Sequence, residues 1–284
     1  MITNKQALPD VIVRAVSNDT YSRGKSDITV TQLIDSPRAV ALRKNHGHEI
    51  VEDASDRIWS LLGQAVHSVL ERAADESDLV EQRIYQDVLK WKLGGQFDLF
   101  SDNVLYDFKV TSVWKIVNLK NGCDPQWEAQ LNVLAWLLRE NGTEPQRLAI
   151  IAILRDWSKH KSRDHGYPSD QVVEVQVPLW THDQQTEYIY NRIVMHQDAQ
   201  DNTKEMPLCT PEERWAKPDV FAVMKEGRKS AIKLYHNFDD ASARSLEEGD
   251  KFFVEHRKGG SVRCESYCSA APFCSQYMDE LKNG

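Results

Sequence analysis

Asp107-Phe108-Lys109 sets a carboxylate and an ammonium two residues apart, inside a segment, Asn103 to Val110, that alternates like a β-strand. A strand sends Leu105, Asp107 and Lys109 to one face and Val104, Tyr106, Phe108 and Val110 to the other. Asp98 lies nine residues upstream in GGQFDLF, a second alternating run, and Ser101-Asp102-Asn103 between the runs is turn chemistry. With Asp102-Asn103 as a two-residue loop, Ser101 pairs with Val104 and Asp98 becomes the direct cross-strand partner of Asp107. Carboxylates opposed in that way, with Cβ atoms about 4.5 to 5.5 Å apart, repel unless something neutralises them. A divalent cation does so, and carboxylate oxygens suit a hard ion such as Mg2+ or Mn2+ that keeps positions for water and substrate phosphate. The chemistry implied is metal-dependent phosphodiester hydrolysis. A bare acidic-x-Lys triplet is common by chance, so the elements around it carry the decision.

Two helices supply further polar groups. IWSLLGQAVHSVLERA has apolar residues at Ile58, Leu62, Ala65, Val66, Val69 and Ala73, a helical period. It carries His67, with Gly63 one turn earlier on the same face, where glycine would let another element approach the histidine closely. QWEAQLNVLAWLLRENG reads as a second amphipathic helix, with Trp127, Leu131, Leu134 and Leu138 in one stripe and Asn141-Gly142 as its stop. Gln130 borders that stripe, placed to reach into a site.

The order GQAVH, GGQFD, YDFK and QWEAQLNVLAWLL resembles the RecB-like branch of the PD-(D/E)xK nuclease superfamily, which includes the AddB nuclease domain and the CRISPR-associated RecB-like exonucleases. The resemblance runs from about Thr29 to the C-terminus. It implies that His67, Asp98 and Asp107 are metal ligands, joined by the backbone carbonyl of Phe108. It also implies that Lys109 orients or activates the attacking water and that Gln130 helps to position it. Trp136 stands where the family usually has tyrosine. DITVTQLIDSPRAVALRKNH looks like the segment that precedes the histidine helix in these nucleases, here without the cysteine that some relatives carry.

Five cysteines form a second constellation. RCESYCSAAPFCSQY holds Cys264, Cys268 and Cys274, PLCTPEERW holds Cys209, and Cys123 is the fifth. An odd count, in a chain whose first residues lack the apolar core of a signal peptide, argues for reduced thiols in a cytoplasmic setting and for metal ligation over disulfides. The spacing leaves zinc and an iron-sulfur cluster both open. The family resemblance implies a 4Fe-4S cluster on Cys209, Cys264, Cys268 and Cys274, although relatives of the AddB and CRISPR-associated types take the fourth cysteine from before the core, not after it. Either group would contribute folding free energy to the C-terminal segment and need not do redox chemistry.

The 284 residues are 41% hydrophobic and 27% charged, ordinary for a globular protein, and no apolar run is long enough to cross a bilayer. Net charge is −8, which disfavours an indiscriminate coat on nucleic acid but not an enzyme with a local basic path. Three stretches could form such a path: Arg38 to Lys44, Lys159 to Arg163, and Lys225 to Lys229. RLAIIAILRDW reads as a strand buried on both faces, VVEVQVPL as its partner, and DQQTEYIYNRIVMHQDAQ as a helix with Tyr188, Ile189 and Ile193 inward. The prolines of PLCTPEERWAKPDVFAV suggest an extended connection, and residues 230–255 a strand, a helix and a strand.

The expected fold is α/β, a mixed central sheet flanked by helices with a restriction-endonuclease-like core and a small C-terminal cysteine-bearing module. Residues 1–27 read as a loose arm, 28–204 as the nuclease core and 205–284 as the cysteine segment. The leading function is a Mg2+- or Mn2+-dependent deoxyribonuclease, an exonuclease in preference to an endonuclease, acting on single strands or duplex ends in viral or mobile-element DNA processing. The alternatives are a non-catalytic DNA-binding or recombination accessory protein, and a module in which the cysteine site organises a surface for a replication or recombination protein.

Overall fold

The computed structural model describes residues 1–18, 23–119, 122–201 and 203–283. It divides into two units, Met1–Ala41 with Gly47–Pro207, and Leu42–His46 with the chain from Leu208 onward. The first strands and helices are β1 (Ile2–Thr3), α1 (Asp10–Ser17), β2 (Ile28–Thr29), α2 (Val30–Leu33), α3 (Pro37–His46), β3 (Glu52–Asp53) and α4 (Ile58–Glu71). Then come β4 (Leu79–Val80), β5 (Arg83–Val88), β6 (Trp91–Gln96), β7 (Leu99–Ser101), β8 (Val104–Thr111), α5 (Val113–Val117), α6 (Pro125–Glu140), β9 (Arg147–Leu154), β10 (Val172–Val177) and α7 (His182–Gln200).

The larger sheet has the order β10-β9-β8-β7-β4, with β8 and β9 parallel and the other neighbours antiparallel, and is therefore mixed, as expected. A second sheet, β2-β6-β5, adjoins it in sequence through one long hairpin. The pairs Arg83 with Gln96 and Val80 with Leu99 keep a single register across both sheets. At the crossing, the Glu81 N–H donates to the Asp98 carbonyl (3.1 Å) and the Phe97 N–H to the Gln82 carbonyl (3.3 Å). GGQFDLF is thus one strand that passes from one sheet to the other at Phe97-Asp98, and Glu81, at φ 47°, absorbs the bend on the partner strand. The Asp102-Asn103 turn is as expected: Ser101 pairs with Val104, and both central residues have positive φ (49° and 61°), the type I′ geometry that matches strand twist. Leu89-Lys90 turns the other hairpin with the same signs (48° and 68°) and without the usual Asn or Gly.

α6 crosses over between the parallel strands β8 and β9. Ten of its residues are buried, including Trp127, Leu131, Leu134 and Leu138, so it is covered on nearly all sides and not along one stripe alone. Gly95 on β6 lets it sit close: a Cβ there would meet Leu134, Val30 and Leu137 at 2.6 to 2.9 Å. Trp136 is 4% exposed and donates its indole N–H to Thr186 Oγ1 (3.0 Å), a packing role away from any catalytic group. Buried Asn132 donates to the Glu128 and Pro178 carbonyls and accepts from the Trp180 N–H, tying α6 to the chain that enters α7. Ile189 and Ile193 of α7 are fully buried and Tyr188 is half-buried, as the sequence predicts.

Within the stretch read as a loose arm, residues 1–18 form a strand and a helix, and residues 19–22 lie outside the described residues. β1 pairs in parallel with β3, and α1 caps a short run of contacts with α4, because VIVRAV gives it an apolar face. Among the described residues no helix is long and apolar enough to cross a membrane.

The C-terminal unit contains β11 (Val220–Lys225), β12 (Lys233–Tyr235), α8 (Phe238–Glu248), β13 (Phe252–Arg257), α9 (Val262–Ser266) and α10 (Ser275–Asn283). Its antiparallel sheet has the order β12-β11-β13. VFAVMK, expected at the end of an extended connection, is the central strand, since Ala222 and Val223 are fully buried under α8.

His196 on α7 is fully buried and donates Nε2–H to the Leu33 carbonyl (3.1 Å). Burial pushes its pKa down to about 4. The unfolded chain therefore binds the proton first, so stability is full above the unfolded value of about 6.5 and falls as pH drops toward 4, by on the order of 3 kcal/mol. Urea denaturation of wild type and His196→Gln across this window should show a steeper acid loss in wild type, and parallel profiles would exclude this assignment.

Candidate active site

The triplet stands on β8, the strand flanked by β9 on one side and β7 on the other. The β7–β8 ladder stops at Leu99 with Tyr106, one pair short of Asp98 and Asp107. The two aspartates are therefore not ladder partners as expected. The Asp98 carboxylate turns back over the open edge instead, where its Oδ2 accepts the Phe108 N–H at 2.7 Å. A strand residue directs its N–H and C=O to the same edge, so the Phe108 carbonyl faces the edge that β7 leaves uncovered. That is the carbonyl that the family resemblance implies as a ligand.

Asp107 is 2% exposed. Gln130 of α6 donates Nε2–H to its Oδ1 (2.7 Å), which brings the expected glutamine to the carboxylate. Lys109 Nζ lies 2.7 Å from Asp107 Oδ2, an ion pair that meets the carboxylate's second, buried oxygen. Burial pulls the Lys109 pKa down, but the Asp107 and Asp98 charges outweigh it and hold the ammonium protonated.

His67 of α4 closes the cluster, with Nδ1 3.5 Å from Asp98 Oδ1 and its ring edge-on to Phe108 at 6.3 Å. Nδ1 also lies 3.3 Å from Oε1 of Glu81, a residue the sequence reading did not single out. His67, Glu81 and Asp98 each offer a ligand atom within 4.8 Å of the others. Glu81 Oε2 accepts from Gln96 Nε2 (2.7 Å), and Gln96 Oε1 accepts from Arg83 (2.7 Å), so the bend in the long hairpin holds the third acid in place. The hydrogen bond to Glu81 leads the groups that raise the His67 pKa, against burial and with help from Asp98.

Burial, then repulsion from Asp107, pushes the Asp98 carboxyl up to about 7. A buried acid, Asp107, a largely covered one, Asp98, a third, Glu81, an imidazole and an uncovered carbonyl make a donor set of the kind a divalent cation of the Mg2+ or Mn2+ class takes. The charge that Asp98 resists carrying is what such an ion would compensate.

Other expectations fall differently. A Cβ on Gly63 would meet nothing within 4 Å, so no protein element approaches there. Of the predicted α4 stripe, Leu62, Ala65, Val69 and Ala73 are exposed, and no residue of the helix is buried. Arg38 is 6% exposed and donates to the Met206 and Pro207 carbonyls, which removes it from any DNA path. Cys209, Cys264, Cys268 and Cys274 all belong to the C-terminal unit. Burial, then the nearby Cys268, Cys209 and Cys274 sulfurs, pushes the Cys264 thiol up to about 11, and Gln276 holds the Cys209 backbone from both sides (2.8 and 3.0 Å). Cys123 lies in the other unit beside Asp124 and is not part of this group.

No family model matches this chain, and no curated protein does. Among solved structures it is similar to SSO0001, at 16% identity and TM-score 0.45 over 66% of this chain and 85% of that one. It is also similar to the "Putative exonuclease" of Eubacterium rectale, at 12% identity and TM-score 0.32 over 50% of this chain and 56% of that one. At these scores neither likeness bears on what this chain does.

The raised Asp98 pKa has a sign. Its contribution to stability without metal is full below the unfolded value and lost as pH rises through about 7. In EDTA at pH 7.5, Asp98→Asn should be more stable than wild type by on the order of 1 to 3 kcal/mol, with the gain shrinking toward pH 4. A destabilised Asp98→Asn at pH 7.5 would contradict the buried-repulsion picture.

Proposed function

We propose that this chain is a divalent-cation-dependent nuclease that hydrolyses phosphodiester bonds in DNA, and an exonuclease in preference to an endonuclease. The observation that carries the reading is the cluster of His67, Glu81 and Asp98, whose ligand atoms lie within 4.8 Å of one another, together with the buried Asp107 carboxylate and the Lys109 ammonium 2.7 Å from its Oδ2. A cation held by His67, Asp98, Asp107 and the Phe108 carbonyl, with Glu81 as a ligand or as the partner of His67, would polarise the scissile phosphate and lower the pKa of water.

The chain's own residues do the rest. Gln130 fixes the Asp107 carboxylate by holding Oδ1, leaving Oδ2 directed at the site. Lys109, kept as an ammonium by the two aspartates, orients the attacking water and stabilises negative charge that develops on the phosphoryl oxygens. Glu81 fixes the His67 ring, as carboxylates do for ligating histidines. The presence of every one of these groups weighs against a DNA-binding protein whose site has decayed.

For the C-terminal unit we propose a metal group on Cys209, Cys264, Cys268 and Cys274, a 4Fe-4S cluster in preference to zinc. The mutual repulsion of these sulfurs when deprotonated is the kind of charge that a bound metal relieves.

End-labelled single-stranded and duplex DNA should be degraded with Mg2+ or Mn2+ and not in EDTA. Lys109→Ala should lower the rate by about 100-fold or more while DNA binding survives. Cleavage retained in Lys109→Ala would exclude the assigned site. Separately, protein purified without oxygen should contain iron, and Cys268→Ser should lose it and unfold the C-terminal unit by hydrogen exchange while hydrolysis persists. Zinc in its place would correct the cluster assignment, and no metal with an intact unit would remove it.

A further inference from the structure

Glu81 sits in backbone that its residue type disfavours. Its φ of 47° lies in the left-handed region, which glycine or asparagine occupies readily and glutamate does not. Strain of this kind persists only where the surrounding structure over-determines it, and it gathers at functional sites. Here the surroundings are the two backbone bonds at the crossing of the long hairpin, Glu81 N–H to the Asp98 carbonyl and Phe97 N–H to the Gln82 carbonyl. Glycine would satisfy both bonds without strain, so the backbone does not account for a glutamate at this position.

The carboxylate is fixed from behind by two further side chains. Arg83 and Gln96 are cross-strand partners on β5 and β6. A guanidinium has only donors, so the Gln96 oxygen faces Arg83 (2.7 Å) and its amide nitrogen faces Glu81 Oε2 (2.7 Å). One carboxylate oxygen is thereby held, and Oε1 is left to the His67 side. Because an amide stands between the two charges, the chain positions the acid without neutralising it. A direct arginine pair would compete with a cation for the same carboxylate.

Glu81 Oε1 lies 3.3 Å from His67 Nδ1, and Asp98 Oδ1 lies 3.5 Å from the same nitrogen. Both distances exceed the ~2.9 Å of an ordinary N–H···O hydrogen bond. Ligands ~2.1 Å from one ion stand ~3.0 Å apart at an octahedral right angle and ~3.4 Å apart at a tetrahedral one. The three atoms are thus spaced as ligands that share an ion. The side chains keep 31% (His67), 18% (Glu81) and 11% (Asp98) of their surface open, so an ion can reach them.

We propose that Glu81 is a direct ligand of the divalent cation, and that Gln96 and Arg83 are positioning residues that hold it there. The inference rests on the cation site of the nuclease reading and adds to it a ligand from outside the motifs that carry the family resemblance. The oxygen that holds the His67 ring in the metal-free chain is the one that would meet the ion. The added acid also sets the class of ion. Mg2+ takes one or two carboxylates and keeps several waters, whereas an imidazole beside three carboxylates suits a transition ion such as Mn2+ better.

The test is binding of Mn2+ to the full chain, read by the electron paramagnetic resonance of free Mn2+ and by competition with Mg2+, with thermal melting in EDTA alongside. Glu81→Gln keeps the shape and a hydrogen-bond acceptor but loses the charge, and should weaken Mn2+ at least about 10-fold while lowering the preference for Mn2+ over Mg2+. Glu81→Gly relieves the backbone, and should melt no lower than wild type yet show the same loss of Mn2+. Gln96→Leu and Arg83→Met should each weaken Mn2+ by about 10-fold. Unchanged Mn2+ affinity in both Glu81 variants overturns the ligand assignment, and unchanged affinity in both Gln96→Leu and Arg83→Met overturns the positioning role. Glu81→Gly melting far below wild type would assign the residue to the fold and overturn the proposal. A folded wild type that binds no Mn2+ overturns both the inference and the cation site it rests on. Glu81-dependent Mn2+ binding without cleavage of DNA supports the inference and overturns the nuclease reading alone.

Discussion

The covering of the Asp98 carboxylate beside a second, buried one, Asp107, is the constraint around which the N-terminal unit is organised. Neither can leave, since one is held by the Phe108 N–H and the other by Gln130. Asp107 is met by the Lys109 ammonium, whereas Asp98 shares the His67 ring with Glu81. Buried ionic groups in such an arrangement store electrostatic cost in the folded state, and that cost is a frequent signature of functional sites.

Each scaffold element can be understood from the site outward. β8 puts Asp107 and Lys109 on one face, and the early end of β7 exposes the edge to which the Phe108 carbonyl points. The crossover helix α6, nearly wholly buried, fixes Gln130 with the rigidity of a core element. The long hairpin bends between sheets at the pair Glu81 and Asp98, and the bend gathers two acids at one point. α4 is the exception, touching the unit mainly through its half-buried side and leaving its indole and aliphatic face in solvent.

Much of this was legible in the sequence. Alternation in NVLYDFKV, the Asp102-Asn103 turn, the apolar run of β9 and the helix bearing Gln130 each follow from local period, and local period survives into the fold. Glu81 was not legible, because its place depends on a hairpin turned by Leu89-Lys90, residues without turn character, and on a bend at a non-glycine residue with positive φ. The α4 stripe illustrates the converse limit. An apolar face announces that something covers it, but periodicity does not say whether the cover is the protein's own core or a ligand. The ordered N-terminus was missed for a related reason, since α1 is a short helix and β1 and β3 are two-residue strands, all below the length at which pattern is informative.

The central claim is that His67, Asp98, Asp107 and the Phe108 carbonyl, with Glu81 beside them, would hold a divalent cation. Isothermal titration of Mn2+ into wild type and Asp107→Ala at neutral pH tests it most directly. The account predicts saturable binding in wild type that is lost or weakened at least about 10-fold in the variant. Absence of saturable binding in a folded wild type, or equal affinity in the two proteins, would contradict it.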